Sequence, residues 1–90
     1  MRLKYKFSMM DMGGEIAAVP VGDNANEFHG MLKVNEIGAD ILSQLAEETT
    51  PEKVHEYLVS KYPDSSEQEI GEQLATFLNQ LIAERLLIAP

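Results

Sequence analysis

Two histidines, fifteen carboxylates and no cysteine are the chain's stock of groups able to ligate a metal or move a proton. A zinc site needs ligands at close helical or hairpin spacing. His29 and His55 stand in different predicted elements, with neither a cysteine nor a Glu-x-x-His pattern nearby. His29 follows Phe28 in an alternating stretch and reads as a surface or binding-strip residue; His55 follows Val54 on a helix and is expected to face water. No Ser or Thr stands in a recognisable nucleophile elbow, so no triad is supported. Glu47-Glu48 and the set Glu67, Glu69 and Glu72 could suggest carboxylate catalysis or calcium binding, yet EF-hand spacing and its turn glycine are missing. They read as a solvated helix end and as a first turn that complements a helix dipole. Gly13-Gly14 lacks a phosphate-loop context and precedes a strand, so it marks a turn. Met9, Met10 and Met12 fit an adaptable contact surface and a partly buried strand end equally well. The residue types therefore predict a protein that binds something, with no catalytic residue, no metal and no cofactor.

The elements that must position a binding surface follow from periodicity. Leu3, Tyr5, Phe7 and Met9 alternate with Arg2, Lys4, Lys6 and Ser8, the period of a strand with one buried face. After the Gly13-Gly14 turn, Glu15 to Val21 continues as a second strand, with Pro20 near its end or facing an unpaired side because it donates no ladder hydrogen bond. Gly22 to Glu27 reads as a loop, and Phe28 to Val34 as a third strand at the sheet's edge.

At Asn35 the two-residue rhythm becomes helical. Asn35 is a good N-cap; Ile37, Ile41 and Leu45, with Leu42 beside them, give a first helix to about Glu47 one buried face. Thr50-Pro51 starts a second helix carrying Val54, Tyr57, Leu58 and Tyr62 and ending before Pro63. Ser66 followed by Glu69 reads as a capping box for a long third helix traced by Ile70, Leu74, Phe77, Leu78, Leu81 and Ile82. Leu86-Leu87-Ile88 should dock, as helix extension or as a short strand. The predicted fold is α+β: a three-stranded antiparallel meander followed by three helices, compatible with a winged-helix-like arrangement.

Length and charge narrow the function classes. Ninety residues without an internal repeat predict a single domain over residues 1–90. No apolar run is long enough to span a bilayer, and the absence of cysteine fits the cytoplasm, so a soluble, unexported protein is expected. Up to Val34, four basic and four acidic residues cancel; from Asn35 onward, three basic residues face eleven acidic ones, which places the whole net charge of −8 in the helical half. The third helix carries Glu67, Glu69, Glu72 and Glu84 against Arg85, where a groove-reading helix needs Arg, Lys, Asn or Gln. Neither a nucleic acid nor a membrane is expected as partner.

Leu32 to Leu45 resembles the PqqD family, the pyrroloquinoline quinone biosynthesis chaperones and their relatives, in which an apolar strand meets Asn, a small residue and an Ile-x-x-x-Leu helix. Thr50 with Val54, Asp64-Ser65 through Glu69, and Phe77-Leu78 with Leu81 match the family's second and third helices in order and spacing. The chain departs from the family at Leu42, where Trp is frequent, and at Glu47-Glu48, where an Asp-Gly pair is frequent. These departures point to a general peptide-recognition relative more than to the quinone-pathway branch. The resemblance implies a non-catalytic chaperone that binds the leader segment of a ribosomally made precursor peptide by strand addition and presents it to a modifying enzyme such as a radical SAM protein. The implied peptide-binding strip is Phe28, His29, Met31, Leu32, Lys33 and Val34, with Leu74, Phe77, Leu78 and Leu81 as groove wall, some of them needed by the core. An exposed edge is compatible with a monomer or with a strand-swapped dimer. The competing expectation is an acidic winged-helix regulatory module that binds another protein or, less readily, DNA. A basic patch on the folded surface would favour the second, and an uncovered third-strand edge beside an apolar groove the first.

Overall fold

Leu3, Tyr5 and Phe7 are half-buried while Arg2, Lys4 and Lys6 are exposed, the two-sided rhythm expected of a strand. The computed structural model, which describes residues 1–21 and 31–88, divides that stretch into β1 (Arg2–Leu3) and β2 (Lys6–Asp11), so the single first strand expected from the alternation is corrected. The two pieces have different partners. β1 pairs antiparallel with β5 (Leu87–Ile88), matching Leu3 with Leu87, and the Lys4 amide donates to the Leu86 carbonyl at 2.7 Å. The chain's tail is thus a short strand.

β2 turns through Gly13 and Gly14, whose φ angles of +69° and +99° suit glycine, and pairs with β3 (Ile16–Val21). Pro20 lies near the end of β3, beyond the Ile16–Ala18 segment that pairs on the other side with β4 (Leu32–Val34). The sheet order is β2-β3-β4, antiparallel throughout. Of the third strand expected over Phe28 to Val34, Leu32–Val34 is strand and Met31 precedes it; Phe28 and His29 lie outside the described residues.

Each helix starts where a side chain can satisfy a free amide. Asn35 Oδ1 accepts from the Gly38 amide at 2.8 Å ahead of α1 (Glu36–Gln44). Thr50 Oγ1 accepts from Lys53 at 3.2 Å ahead of α2 (Pro51–Lys61), and Ser66 Oγ from Glu69 at 3.1 Å ahead of α3 (Glu67–Ala83). α3 ends in a Schellman motif: the Leu86 amide donates to Leu81 and the Arg85 amide to Ile82, with Arg85 held at φ +61°. That turn drops Leu86 into the core.

Ile41, Leu42 and Leu45 of α1, Val54 and Leu58 of α2, and Ile70, Leu74, Leu78 and Leu81 of α3 form one buried cluster with Ala18 and Leu32 of the sheet. Ile82, expected in the apolar trace of α3, is instead 60% exposed, because it lies one residue beyond Leu81 and turns away from that cluster. The result is the α+β, winged-helix-like arrangement of a three-stranded antiparallel sheet with three helices.

Candidate functional site

β4 is an edge strand: β3 pairs one side, and among the described residues no strand pairs the other. Its side chains alternate. Leu32 is buried beside Ala18, Lys33 is exposed, and Val34 is half-buried. An open edge leaves backbone amides and carbonyls able to pair with an added chain.

Asn35 converts β4 into α1 within one residue, which brings Gly38 against the end of the strand. A Cβ at Gly38 would stand 3.0 Å from Val34 Cβ and 3.1 Å from Phe77 Cε2, so strand, α1 and α3 converge at a point where only a glycine leaves its neighbours undisturbed. Beside this point lies a concavity of about 230 Å³. α1 contributes Ile37, Gly38 and Ile41 to it, and α3 contributes Gln73, Thr76, Phe77 and Gln80. Among the described residues, apolar groups line it together with amides and one hydroxyl, and no charged side chain does. Such a surface can take an uncharged, apolar group and offer hydrogen bonds around it; it has nothing with which to transfer a proton or hold a metal.

Of the groove residues named on α3, Phe77 alone is half-buried; Leu74, Leu78 and Leu81 are 5%, 8% and 1% exposed and belong to the core. Met31 is 53% exposed. The apolar pattern does not reveal Gln73, Thr76 and Gln80. Their spacing with Phe77 marks a second stripe on α3, but it is mostly polar and so is silent to a search for apolar periodicity.

Two residues beyond Gly38, Asp40 fastens α1 to the end of α2. Its carboxylate accepts from the Lys61 ammonium at 2.7 Å and from the Tyr62 hydroxyl. Burial, reinforced by that bond to Asp40, pushes the Tyr62 phenol up to about 12, and the bond to Asp40 also raises Lys61. Tyr62 therefore serves as a tether at the C-cap of α2.

His55, expected to face water, is half-buried against Gly71, and its Nε2–H donates to the Glu67 carbonyl at 3.1 Å, because α2 and α3 pack closely there. Among the described residues, no group of three or more His, Asp or Glu could hold a metal ion, and no helix is long and apolar enough to cross a membrane.

Comparison with known proteins adds two findings. The model of the family described as coenzyme PQQ synthesis protein D (PqqD) matches residues 9–87. A solved structure described as TbiB1 in complex with the TbiA(beta) leader peptide superposes with a TM-score of 0.72 at 18% identity, covering 100% of this chain and 98% of that one. No curated protein matches.

Proposed function

The chain belongs to the PqqD family, and on that premise we propose that it binds the leader segment of a ribosomally made precursor peptide by strand addition. The leader pairs with the free edge of β4 and seats an apolar side chain in the concavity at Gly38. The observation that carries this reading is the conjunction of the edge at Leu32–Val34 with an adjoining concavity that mixes apolar groups with neutral polar ones, open and uncharged respectively among the described residues. The similar TbiB1 structure holds a leader peptide, which supports the same class of ligand here.

Each residue then has a role. Main-chain groups of Met31 to Val34 give affinity without sequence preference, and alternate leader side chains are sorted by what lies beneath. Lys33, exposed on β4, pairs with an acidic leader residue. Phe77 forms the wall, and Leu74, Leu78 and Leu81 are the floor that holds Phe77 in place. The chain performs no bond chemistry; it presents the bound precursor to a separate modifying enzyme, of which a radical SAM protein is one kind, by raising the effective concentration of the substrate.

The regulatory alternative draws on the chain's basic side chains. Arg2, Lys4 and Lys6 gather on β1 and β2 and their junction, away from α3, whose first turn carries Glu67 and Glu69. That distribution does not suit a groove-reading helix, so the basic patch supports this alternative in its protein-binding form and not as a DNA reader.

The test is an amide chemical-shift titration of the labelled chain with the leader segment of a precursor encoded nearby, in wild type and Gly38→Leu. Shifts confined to Met31–Val34, the start of α1 and the Gln73 to Gln80 stripe are expected. Gly38→Leu fills the concavity, abolishes those shifts and costs about 1–3 kcal/mol of stability through overpacking. Silence of the wild-type spectrum with every nearby candidate would overturn leader recognition.

A further inference from the structure

In a chain of net charge −8, three of the seven basic side chains, Arg2, Lys4 and Lys6, line a single concavity. It encloses about 520 Å³ and is walled by Tyr5 and Phe7, by Leu42 of α1 and by Ile88 of β5. Among the described residues, no acidic side chain lines it. It adjoins the C-terminal half of α1, whereas the neutral concavity adjoins the N-terminal half.

We propose that this concavity docks an acidic segment of a partner protein, an extended stretch in which carboxylates flank an aromatic or long aliphatic anchor. Charge complementarity carries the assignment. An amphipathic strand by itself explains why cations alternate with Leu3, Tyr5 and Phe7. It does not explain why Leu42 and Ile88, from distant parts of the sequence, close an apolar space inside the cationic rim. Alternating basic and apolar residues repeat at the two-residue period of an extended chain, so a segment alternating acidic and apolar residues meets them in step. Its anchor supplies affinity by burial and its carboxylates supply orientation and capture rate. Lys4 already lies 5.6 Å from the Tyr5 ring centroid, which holds a charge at the lip of the space. A nucleic acid fits less well, because phosphates need cations over a broad flat face and the helical half of this chain repels them.

The experiment uses the full labelled chain and two short synthetic peptides of equal length, one alternating glutamate with phenylalanine and leucine, the other with glutamine in place of glutamate. The acidic peptide is expected to shift Arg2 to Met9, Leu42 to Ala46 and Ile88, to lose affinity as salt rises, and to bind about tenfold more weakly to the Lys4→Glu/Lys6→Glu variant. Lys53→Glu, which reverses an exposed basic residue of α2 outside both concavities, serves as the control and leaves that affinity unchanged. Equal binding of the two peptides, unchanged affinity in the double variant, or shifts centred on Leu32–Val34 would overturn the proposal. Tighter capture of a DNA duplex or of decanoate at the same residues would overturn it too, in favour of a nucleic acid or a small amphiphile. A leader segment that still shifts β4 in the double variant keeps the two sites' fates separate.

Discussion

Ile41 and Leu42 are consecutive, equally buried residues of α1, yet Ile41 lines the neutral concavity beside β4 and Leu42 lines the basic one beside β2. Successive helical residues point about a third of a turn apart, so one short helix stands as the partition between two concavities. The surfaces differ in kind. The neutral one adjoins a strand edge and uses uncharged side chains of α3, as suits recognition through main-chain pairing and shape. The basic one is assembled from the first and last described strands and uses charge, as suits steering and orientation. Under the proposed function a peptide and a partner protein would be held on faces that do not compete, and two chemistries make competition harder.

The sharpest way to break this comparison is to truncate its two central residues separately. Ile41→Ala and Leu42→Ala should each cost about 2–5 kcal/mol in urea denaturation, since both side chains are fully buried. For the folded fraction, Ile41→Ala should weaken the leader segment and spare the acidic peptide, and Leu42→Ala should do the reverse. If each variant damages both, α1 is not a partition.

A smaller effect tests what holds the partition in place. The folded phenol of Tyr62 keeps its proton up to about 12, while in the unfolded chain a tyrosine releases it near pH 10. The unfolded state therefore binds fewer protons across that window, and stability, intact below about pH 10, should fall as pH rises toward about 12. Tyr62→Phe should flatten the slope in denaturation curves and, having lost the bond to Asp40, start about 1 kcal/mol lower at neutral pH. An unchanged slope would remove Tyr62 as the tether.

An effect of similar size, opposite in sign, lies outside both concavities. Arg85 occupies the left-handed position of the Schellman turn, which glycine fills without steric cost. Arg85→Gly should raise stability by about 1 kcal/mol and leave both affinities alone, read from the thermal midpoint and the two titrations.

Helices and their starts were legible because capping is local: Asn35, Thr50 and Ser66 each bond to an amide three residues on. The division of β1 from β2 was not, since alternation runs unbroken through Lys4 and Tyr5, and only the pairing of Leu3 with Leu87 ends the strand. The candidate edge was legible at Leu32 to Val34 from the switch at Asn35. Its neighbouring concavity was half-hidden. Phe77 could be read from the apolar trace, but Gln73, Thr76 and Gln80 gain meaning only once α1 is laid against α3. Gly38 gave no signal of its own, because its role is the space it leaves between Val34 and Phe77.

The pairing of Arg2 with Ile88 and of Leu3 with Leu87 also has a temporal side. During synthesis, the sheet and the first two helices can be outside the ribosome while Arg2 and Leu3 still wait for partners that have not been made. Closing a loop of that length is slow compared with forming a hairpin or a helix turn, so this ribbon should be the last piece to set. The basic concavity has walls from both ends of that loop. It comes into being only on a chain translated through Ile88, and a partner that docks there would meet chains that carry a paired β5 and pass over those that stop short of it.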